Sequence, residues 1–72
     1  MKVKERTIGS RDFFVIESGP ITLRVCVREG QVGDCMVNTE FEGIFEGEEG
    51  LRCLRDAAEE ALRKLGDVRQ RR

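Results

Sequence analysis

The pattern of apolar and polar positions predicts four β-strands in succession. Residues 21–28 alternate strictly, with Ile, Leu, Val and Val on one face and Thr, Arg, Cys and Arg on the other, which is the period of a half-buried strand. Residues 33–42 alternate similarly, residues 11–17 enclose a four-residue apolar run, and residues 2–8 have the mixed character of an edge strand. Turn-forming residues separate these segments, so we predict an antiparallel meander.

One amphipathic helix is predicted after the strands, over residues 48–65. Apolar residues recur there at helical spacing. They form a stripe of Leu51, Leu54, Ala58, Ala61, Leu62 and Leu65. Gly66 is expected to end the helix, and residues 67–72 are expected to form a basic flexible tail. The predicted class is α+β, with a four-stranded antiparallel meander and one C-terminal helix in a single domain, residues 1–66.

The second strand is apolar on both faces, and this predicts a partner. Phe13 and Val15 point to one side and Phe14 and Ile16 to the other, but one helix covers only one face of a sheet. A 72-residue chain also buries only about 60% of its unfolded surface. We therefore expect a homo-oligomer, in the first instance a dimer. A groove for nucleic-acid bases is the functional alternative, and the two can coexist.

Three cysteines are expected to be reduced. Pairing Cys26 directly with Cys35 would set apolar positions of the third strand against acidic ones of the fourth. Pairing Val25 with Val37, and Leu23 with Thr39, keeps one face apolar and sends the two thiols to opposite faces. The inner face of the fourth strand is then Cys35, Val37, Thr39 and Phe41, with Phe41 and Phe45 expected in the core. An intersubunit bridge is the alternative to reduced thiols.

Composition excludes several classes of protein. No window approaches 18 consecutive apolar residues, and no secretory signal precedes the first strand, so we expect a cytoplasmic protein. The chain has no His, and the cysteines lack zinc-site spacing. The glycines at 43–50 lack the Lys-Ser/Thr of a phosphate loop. We expect no enzymatic activity, no cofactor and no metal. The abundance of charge and scarcity of amides resemble hyperthermophile composition.

The net charge of −1 hides an uneven distribution. Residues 1–28 carry six basic and three acidic side chains, residues 29–50 carry seven acidic and no basic ones, and residues 51–72 carry seven basic and four acidic ones. Local potential decides where a polyanion binds, so a basic face remains possible on a nearly neutral protein. Solvated surface charge without a partner is the alternative interpretation.

Basic and aromatic side chains coincide in the first three strands. Binding of single-stranded nucleic acid requires a cationic track beside aromatic rings on which bases stack. Either Phe13 or Phe14 would stack bases if it faced outward, and core or dimer packing is the alternative for each ring. The candidate nucleic-acid-binding residues are Lys4, Arg6, Arg11, Phe13, Phe14, Arg24 and Arg28.

The predicted order of elements resembles that of small single-stranded nucleic-acid-binding proteins of the Whirly, Pur and p15-coactivator type. The junction Glu42-Gly43-Ile44, followed by Glu49 and a Leu-rich helix, is similar to the strand-to-helix junction of the coactivator. The segment Arg11-Asp12-Phe13-Phe14 and the composition also resemble the archaeal ThermoDBP proteins. The resemblance implies a homodimer that binds single strands with little sequence preference. This chain departs from those families by lacking Trp and Tyr.

The function expected from the sequence is therefore binding of single-stranded DNA or RNA through a basic and aromatic sheet surface in a homodimer. The alternative is a protein-interaction or assembly module whose apolar sheet face is an oligomer interface without a nucleic-acid role.

Overall fold

The computed structural model describes residues 1–39 and 47–71. Four antiparallel strands form one sheet in the order β1-β2-β3-β4, followed by a single helix α1. The element bounds are β1 Lys2–Ile8, β2 Arg11–Ser18, β3 Ile21–Arg28, β4 Gln31–Thr39 and α1 Gly47–Gln70. The predicted α+β meander with one C-terminal helix is confirmed. β1 lies at one edge of the sheet, as its mixed sequence predicted.

β4 begins two residues earlier than predicted because the β3–β4 turn is tight. Glu29 and Gly30 alone form the turn, and both have positive φ, 52° and 79°. Two successive residues with positive φ make the type I′ hairpin turn, whose twist matches that of the flanking strands. Arg28 therefore pairs directly with Gln31. The final residues of the predicted strand, 40–42, lie outside the described residues, as do Phe41 and Phe45.

A bulge at Gly33 sets the faces of β4. Val27 pairs with Val32 but Cys26 pairs with Asp34, so one residue of β4 is extra. Beyond the bulge, Leu23 pairs with Val37 and Val25 pairs with Cys35. The prediction that Cys26 and Cys35 face opposite sides is confirmed, and all three cysteines are free. The predicted partners were two residues out of register.

The hydrophobic core lies between α1 and one face of β2 and β3. Alternate residues of these strands are buried there, and α1 contributes Ala57, Leu65 and Val68. The strand residues of the core are Phe14, Ile16, Leu23, Val25 and Val27. At the other end of the helix, Cys53 packs on the β2–β3 turn, where a Cβ on Gly19 would approach the Cys53 Sγ to 2.7 Å. We call the helix-covered face of the sheet the inner face.

The helix is longer than predicted. Gly66 lies inside α1 instead of ending it, and residues 67–70 belong to the helix instead of a flexible tail. The physical reason is packing, since Val68 is only 2% exposed and joins the core. Arg69 adds a hydrogen bond from its Nε to the carbonyl oxygen of Gly30, at 2.8 Å. These contacts outweigh the low helix propensity of one glycine.

The face of the helix that meets the sheet is rotated from the predicted stripe. The buried residues are Gly50, Cys53, Ala57, Leu65 and Val68. By contrast, Leu51 is 63% and Leu62 68% exposed, although both belong to the predicted stripe. Apolar residues cover a wide arc of α1, and only one side of that arc packs on β2 and β3.

Ion pairs attach the end of α1 to β1. Glu5 accepts hydrogen bonds from Arg71 Nη2 at 2.5 Å and from Lys64 Nζ at 3.2 Å. These two cations, Arg71 more than Lys64, hold the pKa of the Glu5 carboxyl below its ordinary value against the opposing effect of partial burial. Nearby, Thr7 Oγ1 donates to Asp12 Oδ1 at 2.7 Å. No described helix is long and apolar enough to span a membrane.

Candidate functional site

The candidate site is the face of the sheet opposite α1, which we call the outer face. Strand alternation places on it the residues that flank the buried ones in β2 and β3, together with their partners in β1 and β4. Two rows cross the sheet near its centre. One row is Arg6, Phe13, Cys26 and Asp34, and the next is Lys4, Val15, Arg24 and Met36.

Phe13 lies at the centre of the outer face, and each of the two neighbouring strands, β1 and β3, carries cationic side chains close to it. Its ring is half-buried, and its strand neighbours are Arg6 on β1 and Cys26 on β3. The diagonal neighbours Lys4 and Arg24 lie in the adjacent row, within reach of a long side chain. A ring held between cations is the arrangement that accepts a stacked base with its phosphates.

Phe14 is removed from the candidate site by its burial. Its exposed fraction is 0% because it points into the core beneath α1. The sequence left open which of the two rings faces outward, and the structure assigns this position to Phe13. Phe14 instead has the role of the largest fully buried side chain of the core.

Two shallow depressions flank the Phe13 ring. One lies toward β1, where Lys4, Arg6 and Ile8 line it together with Val15. The other lies toward β4, and its outer-face lining is Val15, Arg24, Cys26, Asp34 and Met36. Both are open to solvent and largely apolar at the base, with charged side chains at the rim. Flat, apolar, open surfaces of this kind suit planar groups better than an enclosed small molecule.

The outer face is strongly basic. It carries six cationic side chains and two carboxylates, those of Glu17 and Asp34. The cations are Lys2, Lys4, Arg6, Arg11, Arg24 and Arg28, and all six are exposed. Within residues 1–39 and 47–71, none of the six takes part in an ion pair.

Most cations in the helix, and Arg71 just after it, are arranged differently. Arg52, Arg55, Arg63, Lys64 and Arg71 each form at least one ion pair with a carboxylate. In Arg63, the partner Glu60 raises the pKa of the guanidinium, chiefly through a hydrogen bond. Among the described residues, five cations in or next to α1 are therefore paired with carboxylates, whereas the six cations of the outer face have no carboxylate partner and can attract an external anion.

The structure brings six of the seven predicted site residues to one surface. Lys4, Arg6, Arg11, Phe13, Arg24 and Arg28 share the outer face, and Phe14 does not. Val15 and Met36 were not among the predicted site residues, although they line the depressions beside Phe13. The alternation of β2 could have placed Val15 on the same face as Phe13. The face on which Met36 lies depends on the bulge in β4, which the sequence pattern does not predict.

Metal-binding chemistry has no support in the described part of the chain, where no group of three or more His, Cys, Asp or Glu is placed to hold an ion. Comparison with protein-family models, curated proteins and solved structures finds no match to this chain. The functional argument therefore rests on the geometry of the outer face.

Proposed function

We propose that this protein binds single-stranded DNA or RNA with little sequence preference, through the outer face of its sheet, and acts as a homodimer. The observation that carries the proposal is the half-buried Phe13 ring within a field of six exposed cations without ion-pair partners among the described residues. Phosphates would contact Lys4, Arg6, Arg11, Arg24 and Arg28, and a base would stack on Phe13.

Physical chemistry favours a single strand over a duplex for this surface. A duplex is read by an element that enters a groove, most often a helix. The outer face is instead the open face of a sheet, and the only described helix lies behind it. The apolar floor and basic rim of the outer face provide stacking and charge, but no set of donors and acceptors arranged to read base edges. Little sequence preference is therefore expected.

The proposal is tested by a salt titration of oligo-dT binding. For single strands, log K falls with log salt at a slope of about −0.7 per phosphate contacted. Six outer-face cations therefore set a limit of roughly −4 for the slope. Replacing Arg24→Glu and Arg28→Glu together should weaken binding about tenfold or more and reduce the slope by about 1.4.

The matched control changes the same charge elsewhere. Arg52→Glu with Arg55→Glu alters two exposed arginines on the far side of α1, and should leave oligo-dT affinity within about twofold of the native protein. Circular dichroism checks that both variants fold. Absence of binding by the native protein at low salt would refute the proposal, and equal loss in both variants would show only a general charge effect.

A second candidate is an assembly module without a nucleic-acid role. The observation in its favour is the set of large apolar side chains exposed on the inner face of β4 and on α1, among them Val32, Val37 and Leu62. Monomeric proteins expose few contiguous apolar patches of this kind. The same oligo-dT titration separates the two candidates, because an assembly module would oligomerise without binding the strand.

A further inference from the structure

Two arginines lie directly opposite each other on the outer face, Arg11 on β2 and Arg28 on β3. Both side chains are exposed. The Cβ atoms of directly opposite residues are about 4.5–5.5 Å apart, so the two guanidinium groups can reach the same point above the sheet. Like charges in this arrangement repel each other and destabilise the strand pair. An anion bound between them would remove that repulsion.

The other four cations of the outer face have different neighbours. Their direct partners across the strands are Phe13, Val15, Glu17 and Met36. Among the paired residues of the four strands, Arg11 and Arg28 are therefore the one pair of like charges in direct register. Neither forms an ion pair with a described carboxylate, and this includes Glu29 in the adjoining turn and Asp34 in the next row.

This arginine pair occupies the last row of the outer face, one row beyond Phe13. Alternate residues of a strand are about 6.8 Å apart, which is about twice the 3.4 Å repeat of a stacked strand and corresponds to one nucleotide of an extended strand. Beyond the row lie the β1–β2 and β3–β4 turns, joined by a hydrogen bond from Glu29 N to the carbonyl oxygen of Ser10 at 3.3 Å. A strand that continued past the row would meet the exposed Glu29 carboxylate instead of another outer-face cation.

We propose that Arg11 and Arg28 form a clamp for the terminal phosphate of a bound single strand, next to the base that stacks on Phe13. A terminal phosphate carries a charge of about −1.5 to −2 at neutral pH and has three acceptor oxygens, which can accept both guanidinium forks. A phosphodiester within the strand carries a single charge and leaves one cation of the pair uncompensated. The inference rests on the proposed binding of single strands and adds a preference for phosphorylated ends.

Short oligo-dT probes with different ends test the clamp. A 5′-phosphate and a 3′-phosphate are compared with hydroxyl ends, and the end that lies beside the clamp should raise the affinity about fivefold or more when it is phosphorylated. A probe one nucleotide longer, with hydroxyl ends, adds one phosphate as a diester and should show a smaller gain. If neither terminal phosphate raises the affinity above that of the longer probe, the inference is wrong.

Single substitutions locate the effect. Arg11→Gln and Arg28→Gln should each reduce the gain from the terminal phosphate to less than about twofold. Arg24→Gln is the matched control, because Arg24 is an outer-face cation that lies opposite Val15 and Met36. It should weaken binding of all probes by a similar factor and keep the gain from the terminal phosphate. A gain that survives in Arg28→Gln, or that is lost equally in Arg24→Gln, would overturn the inference.

Inorganic phosphate tests the clamp without a strand. At constant ionic strength, about 10 mM phosphate is too dilute for general stabilisation by excluded salts, but an anion held by both arginines should raise the Tm by about 2 °C or more. Arg28→Gln should lose this rise and Arg24→Gln should keep it. A native protein that binds no probe but shows the rise would refute the proposed function and keep the clamp as a phosphate site. A native protein without the rise would refute the clamp.

Discussion

At the scale of single residues, Phe13 and Phe14 show how adjacent rings in one strand take opposite roles. Alternation sends them to opposite faces, and the position of α1 decides which face is the core. Phe14 is fully buried and Phe13 half-buried among cations. The sequence predicts the alternation but not the face on which the helix packs. It therefore could not show which of the two rings is buried.

The role of Phe13 is tested by truncation. Phe13→Ala should reduce oligo-dT affinity by about 5- to 150-fold, the equivalent of one stacked base at roughly 1–3 kcal/mol. Circular dichroism should show that this variant still folds. Phe14→Ala should instead lose roughly 3–5 kcal/mol of folding free energy, because it leaves a cavity in a small core. Chemical denaturation measures this loss.

Phe13→Trp provides the conservative variant. It keeps an aromatic face, so affinity should be recovered to within a few-fold of native. The chain has no other Trp or Tyr, so stacking of thymine on the new indole should quench the only strong intrinsic fluorophore. A Phe13→Ala variant with native affinity, or a Phe13→Trp variant whose emission is unchanged by saturating oligo-dT, would exclude stacking at this position.

At the scale of elements, strands were predicted better than the helix. The alternation of β3 gave its bounds and faces directly. In β4, a two-residue turn alone would have sent Asp34 to the inner face. The extra residue at Gly33 restores Cys35 and Val37 to that side. The alternation of apolar and polar residues predicts which residues of β4 share a face. It does not predict the pairing register of β3 and β4, which depends on the geometry of the turn and the bulge.

The helix was predicted with the wrong side toward the sheet. Its apolar residues cover an arc from Cys53 to Leu62 that is wider than the sheet contact requires. The leucines dominate a hydrophobicity pattern because they are large, whereas the residues that meet the sheet include Gly50, Cys53 and Ala57. Small residues allow close approach to β2 and β3. The large residues outside the sheet contact include Leu51 and Leu62, which are 63% and 68% exposed.

Gly66 offers a test of the helix boundary. It lies within α1, and a Cβ added there would meet nothing within 4 Å. Gly66→Ala should therefore raise the free energy of unfolding by about 0.5–1 kcal/mol, which corresponds to a rise in Tm of roughly 2–8 °C for a domain of this size. Calorimetry measures the shift.

Gly19→Ala is the contrasting variant. Gly19 has a φ of 56°, and its added Cβ would meet Cys53 Sγ at 2.7 Å. Both backbone strain and overlap predict a lower Tm for this substitution. If Gly66→Ala also lowered the Tm, Gly66 would be the end of the helix, as the sequence alone suggested, and the packing of Val68 would not hold the last turns in place.

At the scale of the whole molecule, the chain separates two surfaces by charge. The outer face carries six cations that have no ion-pair partner among the described residues, whereas the inner face of β4 exposes the apolar side chains of Val32 and Val37. β1 adds a third feature, since its seven residues include Lys2, Lys4, Glu5 and Arg6, and charged edge strands resist pairing with further chains. One surface is therefore suited to a polyanion and the other to an apolar contact.

The stoichiometry of binding tests whether each outer face acts alone. If it does, calorimetric titration at several salt concentrations should give one oligo-dT strand per chain, with a salt slope of at most roughly −4 for each strand. Six cations on one sheet face set that limit, because each neutralises at most one phosphate. One strand per two chains, with a slope near twice that value, would instead require the outer faces of two subunits to be continuous. Two sheets joined edge to edge through β4 would produce that result.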